Sequence, residues 1–315
     1  MINRKAFIVG IKSTSLSKKE IFFLKKYKPW GIILFSRNVK GFDQIKKLIK
    51  DIRFIFKDKN YPILIDQEGG RVNRLNNLIE TSVLTAEFFG NLYKNNKKKF
   101  FNYYKVYINQ ISYLLNEIGV NINTVPVLDV RRINSSNVIG DRSYSSSAKN
   151  VSKIGDVCID EFRKRGIGTV IKHIPGHGLA KVDSHKFTPV VKKKTKYLYK
   201  NDFAAFKNKK TFFAMTAHVI YKDIDPINTA THSKKIIKLI RKKIGFKNII
   251  ISDDISMKGL KYSIKQNLQK ALSAGCNLIL HCNANYSEMR TIAENTPAVD
   301  SFIIKKTSQF YKFLS

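Results

Sequence analysis

Short runs of apolar, largely β-branched residues alternate along the chain with longer segments whose apolar positions recur every three or four residues. Short apolar runs are typical of buried strands, and the longer spacing is typical of helices that pack one face on a core. The pattern predicts strands at residues 6–11, 31–35, 62–65, 120–130, 168–174, 212–220, 248–252 and 277–280. It predicts helices at residues 17–27, 42–56, 150–165, 234–243 and 263–274.

This alternation predicts the fold class. About eight strand–helix repeats within 315 residues are typical of a single (β/α)8 TIM-type barrel. We allow for irregular first strands and for an inserted segment between strands 3 and 4, because residues 81–117 break the rhythm. That segment is predicted to hold a turn and a long helix. No internal repeat or flexible linker divides the chain, so residues 1–315 are interpreted as one domain.

Polar residues follow the predicted strands at their carboxyl ends. Asp66 follows the third strand, Asp129 ends the fourth, Lys172 and His173 end the fifth, and Asp253 follows the seventh. In a (β/α)8 barrel the carboxyl ends of all strands meet at one face, where the active site lies. Residues distant in sequence are therefore predicted to share one pocket.

The chain is strongly basic, with 58 Lys and Arg against 23 Asp and Glu and a net charge of +35. One interpretation is a nucleic-acid or anionic-surface binding protein. The other is that lysine is the common surface residue of a chain whose composition fits an AT-rich genome. We favour the second, because the lysines are scattered and a nucleic-acid footprint gathers on one face. We therefore expect no specific nucleic-acid partner.

Cysteine content and hydropathy bear on location. The three cysteines, at positions 158, 276 and 282, form no CxxC pair, which favours a reducing cytoplasm over a disulfide framework. No apolar run approaches the ~18 residues that a membrane-spanning helix needs. We expect a cytoplasmic monomer without a membrane span.

The densest group of chemically active residues is Lys172-His173-Ile174-Pro175-Gly176-His177-Gly178, followed by Asp183-Ser184-His185. Proline and glycine exclude a continuous helix here, so these residues are predicted to lie on a loop. His173 and His177 have the spacing of zinc ligands, but that motif needs a helix to align both rings. We therefore predict no metal site. Asp183 and His185 form a candidate acid/base pair, although two residues of this type on a loop are also compatible with an ordinary surface.

Asp253 is the candidate nucleophile. It follows the apolar run 248–251, so a rigid strand end would aim its carboxylate into the pocket. A carboxylate placed in this way can attack an electrophilic carbon and form an ester. The alternative is that Ser252, Asp253 or Asp254 caps the next helix, and for Asp254 we favour a capping or supporting role.

Several motifs together resemble the family 3 glycoside hydrolases, and in particular their single-domain bacterial β-N-acetylglucosaminidases of cell-wall recycling. Alongside the 172–178 block and its Asp-Ser-His sequel, the matching segments are Asp66-Gln67-Glu68-Gly69-Gly70-Arg71-Val72 with Arg74, Pro126-Val127-Leu128-Asp129-Val130, Ile139-Gly140-Asp141-Arg142-Ser143, Met215-Thr216-Ala217-His218 and Ser252-Asp253-Asp254-Ile255-Ser256-Met257.

The resemblance implies a set of roles. Asp253 would be the nucleophile, and His185 the general acid/base with Asp183 as its partner. The sugar would be held by Asp66, Arg74, Arg142, Lys172 and His173. The implied reaction is retaining hydrolysis of terminal β-linked N-acetylglucosamine from muropeptides or related amino sugars, without a cofactor. A histidine in the acid/base role departs from the two-carboxylate arrangement of most glycosidases.

Two other functions stay open at this point. A phosphorolytic or transglycosylating relative would use the same residues on the same sugar, with phosphate or another sugar in place of water. A basic nucleic-acid or anion-binding protein would not need Asp253. The loop that carries His185 is expected to be mobile and to close over the sugar when substrate binds.

Overall fold

Eight parallel strands close into a barrel in the computed structural model, which describes residues 3–133, 135–184 and 186–315. Their order around the barrel is β1-β10-β9-β7-β5-β4-β3-β2, and β6 and β8 pair separately in a two-stranded parallel sheet. The strands are β1 (Lys5–Gly10), β2 (Pro29–Leu34), β3 (Ile63–Ile65), β4 (Ile122–Asn123), β5 (Gly168–Ile174), β6 (Val190–Val191), β7 (Phe213–Thr216), β8 (Ile220–Tyr221), β9 (Ile249–Asp254) and β10 (Leu278–His281).

α-Helices surround the barrel, and the last of them covers one end. Within the described residues they are α1 (Lys18–Tyr27), α2 (Phe42–Phe56), α3 (Ala86–Asn95), α4 (Lys97–Ile118), α5 (Ala148–Lys164), α6 (Thr195–Asn201), α7 (Lys234–Leu239), α8 (Ile264–Ala274), α9 (Tyr286–Asn295) and α10 (Ser301–Leu314). Side-chain caps fix many of their starts. Ser17, for example, accepts from the backbone N–H of Glu20, whose carboxylate accepts in return from the backbone N–H of Ser17. This reciprocal capping box satisfies two N–H groups that the helix itself cannot pair.

Alternate residues of the strands pack on opposite faces of the sheet. Ile8 and Ile251 belong to the cluster inside the barrel, whereas Val9 and Ile250 belong to the larger cluster under the helices. Helix α10 joins the inner cluster through Phe310, and Trp30 donates a hydrogen bond of 2.9 Å to Thr307 on the same helix. Because Trp30 lies at the start of β2, α10 covers the end of the barrel opposite the carboxyl ends of the strands.

The (β/α)8 prediction is confirmed, including the insertion between strands 3 and 4. One helix normally links neighbouring strands of such a barrel, but here both α3 and α4 lie between β3 and β4. The predicted helix 42–56 coincides with α2. Among the described residues, no helix is both long and apolar enough to cross a membrane.

Two predicted strands are shorter than the apolar runs suggested. β4 contains only residues 122–123 of the predicted 120–130, because Pro126 has no N–H to donate to a ladder. The chain nonetheless stays beside β5, where the Leu128 N–H donates to the Lys172 carbonyl over 2.7 Å. The predicted strand 212–220 divides into β7 and β8, which belong to different sheets.

Candidate active site

A cleft of about 250 Å³ opens at the carboxyl ends of the barrel strands. It contains every predicted site residue that the structure describes, namely Asp66, Arg74, Arg142, Lys172, His173, Asp183 and Asp253. His185 lies outside the described residues. A larger cleft of about 590 Å³, with Glu87 and Arg131 in its wall, contains none of the predicted residues. We therefore locate the site by its chemistry and not by volume.

Lys172 lies at the centre of the polar contacts on one side of the cleft. Its side chain is 3% exposed, and its Nζ atom lies 3.0 Å from Asp66 Oδ1, 2.6 Å from Glu68 Oε1 and 2.9 Å from Thr124 Oγ1. An ammonium group has three N–H donors, so these three partners engage all of them. Lys172 is thus held in one position by two carboxylates and a hydroxyl.

Glu68 connects Lys172 to Arg142. The Nε and Nη2 atoms of Arg142 donate to the two carboxylate oxygens of Glu68, each over 2.8 Å. Burial acts to raise the pKa of Glu68, but Arg142 and Lys172 outweigh burial and hold it well below its usual range. Burial likewise opposes the charge on Arg142, yet Glu68 raises the pKa of that guanidinium. Glu68 and Arg142 are therefore both charged at neutral pH.

Asp66 and Arg74 form the more open part of the cluster. Arg74 Nη2 lies 3.7 Å from Asp66 Oδ2, and the two side chains are 29% and 16% exposed. The Arg74 guanidinium also lies 5.4 Å from the centre of the Phe35 ring. Burial acts to raise the pKa of Asp66, but Lys172 and Arg74 lower it overall. An ionised Asp66 beside an accessible guanidinium can accept from and donate to paired hydroxyl groups.

A buried carboxylate holds the start of the 173–178 loop. Asp129 is fully buried, and its Oδ2 atom lies 2.7 Å from His173 Nδ1, while its Oδ1 atom accepts from the backbone N–H of His177 over 2.5 Å. Burial acts to raise the pKa of Asp129, but His173 and His177 lower it. Because an ionised carboxylate only accepts, the Nδ1 atom of His173 carries a proton. The Asp129 contact thus fixes the ring orientation of His173.

His177 connects this loop to the segment that follows it. The ring is 2% exposed, and its Nε2 atom lies 3.1 Å from Ser184 Oγ. Burial lowers the pKa of His177 to about 4, and the neighbouring Asp129 charge only partly offsets this. With Asp129 and Ser184 as partners, the two histidines of the zinc-like spacing serve the loop itself. Within the described residues, no group of three or more His, Cys, Asp or Glu has the arrangement of a metal site.

The carboxyl end of β9 carries the candidate nucleophile into the cleft. The backbone N–H of Asp254 donates to Asp253 Oδ1 over 2.8 Å. Asp254 turns to the following residues, where its Oδ1 accepts from the N–H and the hydroxyl of Ser256 over 3.0 and 2.8 Å. His218 Nε2 donates to the Asp254 carbonyl over 3.0 Å. Asp254 and His218 therefore shape the strand end, and Asp253 lines the cleft.

The sequence reasoning missed two groups in the cluster. Glu68 belongs to the Asp66–Val72 motif, and its position two residues after Asp66 at a strand end is the signal that could have identified it. Thr124, which donates to Asp66 and accepts from Lys172, had no such signal. Nothing local distinguishes a threonine in an apolar run from any other β-strand residue.

Comparison with known proteins identifies the family of this arrangement. A family model, the glycosyl hydrolase family 3 N terminal domain, matches residues 7–307. The chain belongs to glycosyl hydrolase family 3.

Relatives of known type agree with this family 3 assignment. The chain is 34% identical over 289 residues to the β-hexosaminidase of Haemophilus ducreyi and 32% identical over 282 residues to that of Actinobacillus succinogenes. Each match covers 88% of this chain and 80% of the relative. The crystal structure of NagZ from Neisseria gonorrhoeae in complex with N-trifluoroacetyl-D-glucosamine superposes with a TM-score of 0.88 at 25% identity, over all of this chain and 91% of that one. The protein is a glycoside hydrolase of the β-N-acetylhexosaminidase type, as the motifs predicted.

We expect activity to depend on the charge of Glu68. Glu68→Gln keeps the size of the side chain but removes the charge that Lys172 and Arg142 share, so both cations will shift. A misplacement of about 1 Å in an active site can cost about 100-fold, and we expect a loss of kcat/KM on an aryl β-N-acetylglucosaminide approaching that size. Glu117→Gln, in the exposed 3.5 Å pair with Lys46, is the matched control. Equal activity of the two variants would contradict a positioning role for Glu68.

The lowered pKa of His177 predicts that the folding stability of the protein depends on pH. Its folded pKa of about 4 lies below the ordinary value of 6.5, so between these values the unfolded chain binds a proton that the folded protein does not. The stabilising contribution is complete above pH 6.5 and is lost as the pH falls to 4, by about 3 kcal/mol. Denaturant titrations should show this pH dependence in wild type and a flatter one in His177→Gln. Identical slopes in the two proteins would rule out His177 as the group responsible.

Proposed function

We propose that the protein is a retaining exo-glycosidase that removes terminal, non-reducing β-linked N-acetylglucosamine from peptidoglycan-derived muropeptides of the GlcNAc–anhydroMurNAc type. The observation that carries this proposal is that Asp253 and Asp183 line the same cleft as the polar cluster of Asp66, Glu68, Arg74, Arg142 and Lys172. One cleft thus contains the candidate nucleophile, the candidate partner of the acid/base and groups that can bind sugar hydroxyls. The chemistry of the acceptor side rests on the motif resemblance.

The proposed reaction has two displacements. In the first, the Asp253 carboxylate attacks the anomeric carbon, the bond to the leaving oxygen breaks, and His185 gives its proton to that oxygen. In the second, His185 takes a proton from water, the water oxygen bonds to the anomeric carbon, and the aspartyl ester breaks to restore Asp253. The configuration is retained because the carbon is inverted twice. Anchoring of Asp253 by the N–H of Asp254 supports its role in the attack.

His185 is assigned its role because of the family resemblance and because it follows Asp183 by two residues in the sequence. Asp183 lines the cleft, and a carboxylate beside an imidazole favours the protonated, proton-donating form. Once deprotonated, a histidine is neutral and does not repel the Asp253 carboxylate. General acid/base assistance of this kind is worth about 10²- to 10⁴-fold in rate.

Five residues are proposed to hold the sugar, namely Asp66, Arg74, Arg142, Lys172 and His173. Asp66 and Arg74 are the most direct candidates, because both are ionic partners with accessible atoms. Lys172 can reach a hydroxyl only by giving up one of its three present contacts. Its larger contribution would be to keep Asp66 ionised and in place.

We infer that residues 1–315 act as one catalytic domain, since the barrel begins with β1 and its lower end is covered by α10. The three cysteines are all free, which supports a reducing cytoplasmic setting. We expect a monomer whose partner is an amino-sugar substrate.

The substrate class is tested with two aryl glycosides that differ only at the 2-position. We expect release of the aryl group from the β-N-acetylglucosaminide and at least about 100-fold lower kcat/KM on the β-glucoside, since a pocket built to hydrogen-bond a group rejects a ligand that lacks it. The product is then analysed with and without phosphate. Free N-acetylglucosamine under both conditions supports hydrolysis, and phosphate-dependent formation of a sugar phosphate would replace it with phosphorolysis.

The catalytic assignments are tested by two variants. Asp253→Asn should abolish turnover of both activated and unactivated substrates, because the amide cannot form the ester. His185→Ala should lower kcat/KM by about 10²-fold or more on an unactivated glycoside and far less on a dinitrophenyl glycoside, whose leaving group needs little protonation. Equal losses of His185→Ala on the two substrates would contradict the acid/base role.

A further inference from the structure

The segment that carries position 185 rests on the turn that follows β9. The backbone N–H of Gly259 donates to the Ser184 carbonyl over 2.9 Å, and the Thr188 hydroxyl donates to the Gly259 carbonyl over 2.6 Å. These two bonds reach the segment on either side of position 185. A single residue of the turn thus contacts both flanks of the proposed acid/base.

Gly259 leaves no space for a side chain at this contact. A Cβ atom there would lie 2.3 Å from the Ser184 carbonyl oxygen and 3.1 Å from that of Phe187. The backbone of Gly259 is not among the left-handed glycines of the structure, so its conformation alone would accept alanine. The requirement for glycine at this position is therefore one of close approach between two backbone segments.

The other side of the segment is also held. Ser184 Oγ lies 3.1 Å from His177 Nε2, on the loop that Asp129 anchors. The Asp183 carbonyl accepts from the N–H groups of Lys186 and Phe187 over 3.0 and 2.9 Å, so the residues on the two sides of position 185 are bonded to each other. Ser184 is therefore held between His177 of the 173–178 loop and Gly259.

The turn that grips the segment begins immediately after the candidate nucleophile. Its backbone bonds run from Met257 N–H to the Asp254 carbonyl over 3.1 Å and from Leu260 N–H to the Met257 carbonyl over 3.0 Å. With the Asp254–Ser256 contacts, these bonds fix Gly259 relative to the end of β9. Because Gly259 is fixed in this way, any displacement of Ser184 relative to Gly259 is also a displacement of Ser184 relative to Asp253.

We propose that Gly259 and Thr188 are positioning residues that set the distance between the acid/base segment and the nucleophile. The inference rests on the proposed roles of His185 and Asp253, and we call the pair of bonds the Gly259 clamp. Alanine at 259 would push the Ser184 carbonyl away by roughly 1 Å, since non-bonded carbon and oxygen rarely approach closer than 3.4 Å. A general acid must lie within hydrogen-bond reach of the leaving oxygen, so such a shift selectively weakens proton donation.

The test compares kcat/KM on two substrates that differ in their need for an acid. The substrates are 2,4-dinitrophenyl β-N-acetylglucosaminide and an unactivated methyl β-N-acetylglucosaminide. The variants are Gly259→Ala, Thr188→Val, which loses only the hydroxyl contact, and Thr188→Ser, which retains it. Gly41→Ala is the matched glycine control, because a Cβ at Gly41 meets nothing within 4 Å. Wild type and His185→Ala are measured alongside.

We expect Gly259→Ala and Thr188→Val to lose about tenfold or more in kcat/KM on the methyl glycoside and less than about threefold on the dinitrophenyl glycoside. Thr188→Ser and Gly41→Ala should resemble wild type on both. Where Gly259→Ala does not fold, the comparison of Thr188→Val with Thr188→Ser decides.

Two outcomes separate the inference from the function on which it rests. If His185→Ala shows the substrate-dependent loss but Gly259→Ala and Thr188→Val lose equally on both substrates, or lose nothing, the clamp is overturned and the acid/base role stands. If His185→Ala itself shows no substrate dependence, the proposed acid/base role is wrong and the clamp is rejected with it.

Discussion

Closure of the parallel barrel is the constraint on which the rest of the structure depends. β1 pairs with β10 in parallel, with Ile8 opposite Leu280, and so the first and last strands of the sheet share one direction. Parallel closure places every strand's carboxyl end on one rim. Asp66 and Asp253, which are separated by most of the barrel sequence, reach the same cleft only for this reason. Helix α10 covers the opposite rim and packs Phe310 into the inner cluster, which contributes to stability. No residue of α10 lines the cleft.

The polar side of the cleft is built from buried charges that stabilise one another. A buried ion pair is a poor source of stability, because desolvation offsets most of the Coulomb attraction. The arrangement of Glu68 between Lys172 and Arg142 is better understood as preorganisation. Charged donors and acceptors held rigid before the substrate arrives need not reorganise as charge develops in the transition state. These buried charges thus add little to the stability of the rim, but they hold the charged side chains in fixed positions.

Local patterns predicted what depends on local physics. Apart from the predicted strands 120–130 and 212–220, the apolar runs gave the strand ends to within two residues, and the 3.6-residue period located α2 at both ends. The contacts that complete the site join residues far apart in sequence, such as the Arg142–Glu68 pair and the Gly259–Ser184 bond. No periodicity encodes such pairs. The over-long prediction for the fourth strand has a local cause, because a run of apolar residues after Pro126 satisfies hydrophobic burial without satisfying a hydrogen-bond ladder.

The same residue type has opposite meanings in this chain, and its position in the fold decides which applies. Lys47 pairs with Asp51 one helical turn away with 76% of its side chain exposed, and pairs of this kind contribute little because water and salt screen them. Lys172 is 3% exposed and contacts two carboxylates, so loss of its charge would leave Asp66 with Arg74 and Glu68 with Arg142 as their remaining cationic partners. The excess of surface lysines can raise the rate at which an anionic substrate meets the protein. Within the cleft the contrast is clear, because Lys172 at the end of β5 is buried against carboxylates that hold it in place.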